Sequence, residues 1–433
     1  MSYYSDNNVK TKYLDPRVYV PNNRAVFDLD LSEAAYMPNL KLGFVGLTSA
    51  VAATYARGVG ASAIIRSARL LDGKTVLSQL NEAQFYRAFQ NQNRKNADAE
   101  VRSSNLDLSS NGRTINGVNG NVARIAIEGL ANQNGIDSQA TPTNLATLDL
   151  RDYFPILNSI PMLPTGVFPN LSVEFELNAT LSNQVLTVVG QGNPSTPFVA
   201  NTVRPVLIAD CLINEETVQK MMQRMPKSLV WHEVEHDQFI IPQAALGVSG
   251  NDGGIQRVDI QLNGFNNKIV DELLMVKEIG NAALELGGGG GNNNVLGNGK
   301  WSSQACYEQQ IQYRVNGRNI LPGEGIVGDN TRMAYLVDTY GDCCGYPGSN
   351  AYQYNAAGLT QLGVVASGQQ DYIGVYLGKF INNLQINYSR TNLVQTAGKR
   401  ATNALLIGHM YGRVRKQWNL MDNGMYVIDY MQM

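Results

Sequence analysis

The sequence predicts an all-β protein with a few short helices, arranged as two tandem β-sandwiches. Three observations predict this. Apolar and polar residues alternate with a period of two in segments spread over the whole chain. Asp-Gly and Asn-Gly pairs stand between such segments, where hairpin turns need residues at positive φ. The chain has 433 residues, too many for one ordinary core but suited to two of roughly 200 residues each. No repeat of roughly 20–50 residues is visible, which argues against a propeller or solenoid.

Residues 1–23 are polar and hold Pro16 and Pro21. They read as an extended N-terminal arm without a core of its own, a candidate for ordering on assembly. The first sandwich is expected over 24–230. Ala25, Phe27, Leu29 and Leu31 alternate with aspartates. Ala63–Leu71 is a β-compatible run that turns at Asp72-Gly73 into Thr75-Val76-Leu77. Glu82–Gln90 has helical spacing, with Phe85 and Phe89 four apart. Residues 91–120 read as loop, Val122–Leu130 as strand and Leu148–Leu157 as an irregular or helical connector. Leu171, Val173, Phe175 and Leu177 alternate with Ser172, Glu174 and Glu176, the clearest strand of this half. A strand at Val206–Leu212 leads to a helix capped by Asn214, with Glu215 and Glu216 in its first turn and Pro226 after it.

The division falls near 226–255, and the second sandwich is expected over 231–433. Its strands are read at Val258–Leu262, Ile269–Val276, Gln309–Val315, Leu384–Tyr388, Ala404–Trp418 and Met425–Met431. Asn316-Gly317 and Asn423-Gly424 supply turns. Gly287–Gly291 followed by three asparagines reads as a mobile surface loop.

Charged residues make up only 16% of the chain, below the roughly 25% of ordinary soluble domains. Such a surface has few long charged side chains to desolvate and suits packing against copies of itself. Net charge is −2, and no Lys/Arg stripe is present, so direct sequence-specific nucleic-acid binding is not expected. Cys211, Cys306, Cys343 and Cys344 form no C-x-x-C pair and read as reduced thiols in a protein assembled inside a cell. The start lacks a secretory pattern, and the apolar stretch Leu42–Ala56 is too short to span a bilayer.

His232-Glu233-Val234-Glu235-His236 fits H-E-x-x-H. Zinc-protease chemistry would need it on a helix, with both histidines on one face and Glu233 as base. Leu229-Val230-Trp231 before it and Phe239-Ile240-Ile241 after it favour a strand. There the histidines would stand roughly 13 Å apart along the chain, so the expectation is a charged inter-domain strand. Gly323-Glu324-Gly325-Ile326-Val327-Gly328 fits G-x-G-x-x-G but lacks a βαβ setting and reads as a surface loop. Asn178-Ala179-Thr180 and Asn387-Tyr388-Ser389 read as chance sequons. Aromatics such as Tyr307 and Tyr313 leave a carbohydrate-binding or spike protein as an alternative, with a zinc metalloprotease behind it. No residue is assigned to catalysis, to a cofactor or to a metal.

Five segments carry a family resemblance through their order and spacing. They are Gly60–Gly73 followed by the helix around Tyr86; Asp152–Phe154 through Leu163-Pro164-Thr165-Gly166 into Leu171–Leu177; Val206–Met225; Val315–Pro322; and Phe380–Ile386. Together the chain resembles the double jelly-roll major capsid proteins of the adenovirus hexon and tailless-phage lineage, especially those of Polinton-like viruses and virophages. The resemblance implies two jelly rolls standing side by side and three subunits forming a pseudo-hexagonal tile of an icosahedral double-stranded DNA virus. Its partners would be further copies of itself, penton and minor or cement proteins, and an internal membrane of the kind the family often surrounds. The protein would reside in the virion shell.

Overall fold

In the first sandwich, alternation builds the strands and two sheets share the core between them. The computed structural model describes residues 8–21, 23–29, 31–45, 53–55, 60–93, 146–178, 186–188, 204–242, 256–279, 303, 307–344, 372–391, 405–421 and 426–431. The strands of this half are β1 (Val9–Leu14), β2 (Val18–Val20), β3 (Arg24–Asp28), β4 (Ala35–Tyr36), β5 (Lys41–Val45), β6 (Ala53–Tyr55), β7 (Ile65–Asp72), β8 (Thr75–Leu80), β9 (Ala146–Asp149), β10 (Leu163–Pro164), β11 (Leu171–Leu177), β12 (Leu186–Val188) and β13 (Arg204–Leu212). One sheet runs β1-β13-β5-β9, extended by β4 and β10; the other runs β2-β3-β11-β7-β8; β6 and β12 pair separately.

Strand β11 buries Leu171, Val173, Phe175 and Leu177. Its polar face pairs Glu174 with Arg24 at 2.7 Å and Glu176 with Arg69 at 3.8 Å. Phe175 meets Phe27 edge-on at 6.1 Å in the core, and burying such a ring is worth roughly 1.5–3 kcal/mol. The β7–β8 hairpin turns at Gly73, whose φ is +59°. Helix α1 (Ala83–Asn93) follows it.

The expected arm behaves differently from the reading above. Residues 9–14 pair antiparallel with Leu207–Leu212, Thr11 donates to Asp210 at 2.6 Å, and Lys12 pairs with Glu33. Backbone hydrogen bonding to β13 thus ties this part of the arm down within a single chain. The alternation at Ala25 also fails on both sides: Val26 is buried with Ala25 and Phe27, and Leu31 is exposed. Val26 stands opposite Val18 of β2, an apolar neighbour on the same face.

Helix α2 (Glu215–Gln223) begins as its cap predicts: the Asn214 side chain accepts from the Thr217 N–H at 3.2 Å. Strand β14 (Ser228–Ile241) then opens the second sandwich. The others are β15 (Gln256–Leu262), β16 (Lys268–Ile279), β17 (Tyr307–Val315), β18 (Arg318–Asn319), β19 (Ile373–Ile381), β20 (Leu384–Thr391), β21 (Leu406–Leu420) and β22 (Tyr426–Tyr430). They form the sheets β14-β21-β16-β19, with β22 on β21, and β15-β20-β17-β18. Asn316 and Gly317 turn β17 into β18 at φ values of +52° and +81°. Helix α3 (Gly328–Cys344) was not foreseen. Its buried Leu336 and Tyr340 lie four apart and pack on Gly374 of β19; Arg332 one turn earlier hides the stripe.

Val122–Leu130, the glycine run at 287–291 and Asn423-Gly424 lie outside the described residues, as do the side chains of Cys306, Cys343 and Cys344. Cys211 is buried and free, and burial pushes its thiol up to about 11.

Both halves repeat one wiring. Taking β1, β3, β5, β7, β8, β9, β11 and β13 as strands one to eight, the two sheets pair in the order 1-8-3-6 and 2-7-4-5. Strands β14 to β21, counted the same way, pair in the same two orders, and each half carries a helix between its fifth and sixth strands. This is the jelly roll, made twice.

Candidate functional site: the seam between the sandwiches

The H-E-x-x-H segment lies in β14, the edge of its sheet among the described strands. Alternation in a strand sends successive side chains to opposite faces. The register sets His236 opposite Tyr411, and Glu233 opposite Val414. His232 and His236 therefore share one face, and Glu233 points to the other. A zinc ligand pair with an adjacent base cannot form from this geometry, because the presumptive base is on the wrong side of the sheet. Among the described residues, no cluster of three or more His, Cys, Asp or Glu side chains could hold a metal ion.

The same residues instead meet the first sandwich. On one face, His236 Nε2 lies 3.1 Å from His409 Nδ1, and His409 Nε2 lies 3.1 Å from Glu278. The Glu278 carboxylate accepts, so His409 carries its proton on Nε2 and its Nδ1 accepts from the His236 Nε2–H. Phe85 of α1 stacks on His409 at 4.4 Å, and Tyr86 meets Tyr411 at 5.2 Å. The Tyr411 hydroxyl donates to the Glu82 carbonyl at 2.7 Å. Burial and the neighbouring His409 push the His236 imidazole down to about 3. His232 takes a different partner, Asp271 at 2.8 Å; Arg415 donates from Nε and Nη2 to both oxygens of that carboxylate. Burial would raise Asp271, but these donors outweigh it and hold the carboxyl below its ordinary range.

On the opposite face, Glu233 is fully buried. Ser78 of β8 donates to it at 2.9 Å, and Trp231 Nε1 at 3.1 Å, with Lys416 at 3.9 Å. Burial raises its carboxyl to about 7 against the pull of these partners. Beside it, Tyr430 donates to Glu235, and Lys268 lies over the Tyr430 ring at 4.4 Å. The apolar part of the seam is aromatic. Phe89 meets Tyr340 at 5.1 Å and Tyr372 at 5.0 Å, and Phe168 meets Tyr426 at 4.9 Å. The first core consequently continues through Leu274, Val276, Leu336, Tyr411 and Trp418 of the second half.

The motif's letters were visible in the sequence, but Ser78, Glu278, His409, Lys416 and Tyr430 were not singled out. No local pattern marks them, because their partners lie far along the chain. The G-x-G-x-x-G segment is a crossing loop. A Cβ on Gly325 would stand 2.4 Å from the Ile311 carbonyl oxygen, and Ile326 bridges to Ile311. Gly325 serves this close backbone approach, whereas Gly323 has open space and a positive φ of +58°; among the described residues no parallel strand precedes the helix after the loop. Asn178 of the first sequon is buried and donates to the Ala63 carbonyl at 2.5 Å.

Two jelly rolls in one chain, joined along a packed seam, define the double jelly-roll fold. The chain shares it along nearly its whole length with capsid structures of PBCV-1, the virophage Sputnik and mavirus. VP54 of PBCV-1, fitted into a cryo-EM reconstruction of the virophage Sputnik, superposes with a TM-score of 0.58 at 11% identity, covering 100% of this chain and 99% of that one. The Sputnik virophage structure from cryo-EM gives 0.54 at 10% identity, covering 98% and 88%. The mavirus major capsid protein gives 0.53 at 9% identity, covering 99% and 91%. No protein-family profile matches the sequence, and no curated protein matches it either.

Proposed function

We propose that this chain is a major capsid protein, which trimerises into pseudo-hexagonal capsomers and tiles the icosahedral shell of a double-stranded DNA virus. The observation that carries the reading is the doubled 1-8-3-6 and 2-7-4-5 wiring within one chain. Two jelly rolls per subunit let three subunits present six similar sandwiches, which fits a hexagonal lattice. The low charge content suits lateral packing, and the packed aromatic seam joins the two sandwiches. The division is a first jelly roll that begins with β1 at Val9 and a second that begins with β14 at Ser228. The work is structural, with no catalytic, cofactor or metal residue assigned. Partners beyond further copies are penton and minor or cement proteins, and an internal membrane is compatible with the fold.

The test is light-scattering mass after size exclusion, with negative-stain images of the peak. Three copies of 47.3 kDa give about 142 kDa, with hexagonal outlines. A stable monomer that never assembles under any particle-forming condition would sink the reading.

A further inference from the structure

We propose that the His236–His409–Glu278 stack is an acid-sensitive latch, which clamps helix α1 of the first sandwich onto the second and releases that helix as the pH falls. The latch is a property of the single chain and holds whatever the chain assembles into.

The geometry has three parts. His409 is buried, bonded at both ring nitrogens and covered by Phe85 at 4.4 Å. His236 is half-buried at the edge strand, so protons can reach the stack from that end. The clamped element is α1, whose Phe85, Tyr86 and Phe89 all face second-sandwich residues.

The hydrogen bonding limits how many protons the closed stack can hold. In the neutral pair one hydrogen lies between the two facing nitrogens. One added proton can be shared beside Glu278. A second puts hydrogens on both facing nitrogens, breaks the bond, and sets two cations about 3 Å apart in a site screened from water. The surrounding groups do not relieve this. Glu278 on β16 already pairs with His409. At the start of α1, Glu82 pairs with Arg66 of β7 at 2.8 Å. On β21, Arg413 pairs with Glu272 of β16 at 2.9 Å. Burial pushes the Tyr411 hydroxyl well above its ordinary value, so it stays neutral here, and the neighbouring Tyr86 and Tyr372 bring no carboxylate or cation to the stack.

In the open state the His236 imidazole meets water and titrates near its ordinary value. The folded value of His236 is depressed, so its contribution to closure is complete above about pH 6.5 and is lost as pH falls toward about 3. Linkage for this single site raises the opening equilibrium about 30-fold between about pH 7.5 and about pH 5.

Hydrogen exchange on the full chain at these two pH values, corrected for intrinsic rates, reads that equilibrium in peptides covering Ala83–Asn93. The expected result is the 30-fold loss of protection in α1, with β17 and β20 of the second core unchanged. His236→Gln keeps an N–H donor for His409 but cannot titrate, and should cut the response to about threefold or less. His232→Gln, which sits outside the stack on Asp271, should keep the full response. Unchanged α1 protection in the wild-type chain overturns the latch, even if His236→Gln fails to fold; so does a His236→Gln response equal to wild type.

Discussion

The two sandwiches share a wiring and differ in how their cores close. The second encloses its own core: Phe239, Leu262, Phe265, Met275, Tyr313, Ile386 and Met410 pack between its two sheets. The first does not stop at its own sheets, because its cluster runs on into Leu274, Leu336, Tyr411 and Trp418 across the seam. The equivalent helices show the same asymmetry. Helix α3 lies on its own sheet over Gly374, while α1 reaches out and meets α3 through Phe89 and Tyr340. A duplicated topology therefore need not give two independent domains. Here the second sandwich acts as a floor on which the first completes its packing.

Phe89→Ala is the strongest way to break this comparison. It removes the ring from between Tyr340 and Tyr372 and should cost about 3–5 kcal/mol, as for other buried phenylalanines. Urea denaturation measures it, with the loss expected in the transition of the first sandwich. A cost below about 1 kcal/mol would mean that the seam is not part of the first core.

The opposite face of β14 gives a second test, with a sign contrary to the latch. Glu233 keeps its proton to about pH 7 in the folded chain and loses it near pH 4.5 when unfolded. A raised carboxyl contributes stability in full below the unfolded value, and loses it as pH rises through the folded one. Wild-type stability relative to Glu233→Gln should then fall between about pH 4.5 and about pH 7, by at most about 1.4 kcal/mol per pH unit. Thermal or urea unfolding across that range reads the difference. A flat difference would show that Glu233 is ionised throughout. His236 titrates on the side of the strand that holds α1, and Glu233 on the side that meets β8, so the first is read as local protection of α1 and the second as global unfolding.

Most of the local structure was legible, and most of the seam was not. Leu171–Leu177 announces itself because one face is buried and the other is wet. Asp72-Gly73 and Asn316-Gly317 are legible because their turns need positive φ. Asn214 is legible because it caps a helix within three residues. Strand β1 gives no such signal: its stability comes from β13, about two hundred residues later in the chain. Tyr411 and Glu82 are separated by 329 positions, Ser78 and Glu233 by 155. Alternation can say that a residue is buried, but not what it is buried against. The H-E-x-x-H letters illustrate the limit, since the same five residues mean a metal site on a helix and an inter-sandwich clasp on a strand.

The smallest effect sharpens the comparison at two glycines, one in the β7–β8 hairpin turn and one in the crossing loop. Gly73 and Gly325 both have positive φ, +59° and +83°. A Cβ on Gly73 would meet only the Asn170 side chain at 3.8 Å, ordinary contact. On Gly325 it would strike the Ile311 backbone oxygen at 2.4 Å, where nothing flexible can give way. Gly73→Ala should therefore cost about 1 kcal/mol, the strain of the left-handed conformation alone. Gly325→Ala should cost about 1–3 kcal/mol and pull the loop off β17, exposing Ile326. Paired urea midpoints, read together with hydrogen exchange at Ile311, separate strain from collision. Equal costs at the two positions would mean that the crossing loop moves freely and that the second sandwich is less closed than its core suggests.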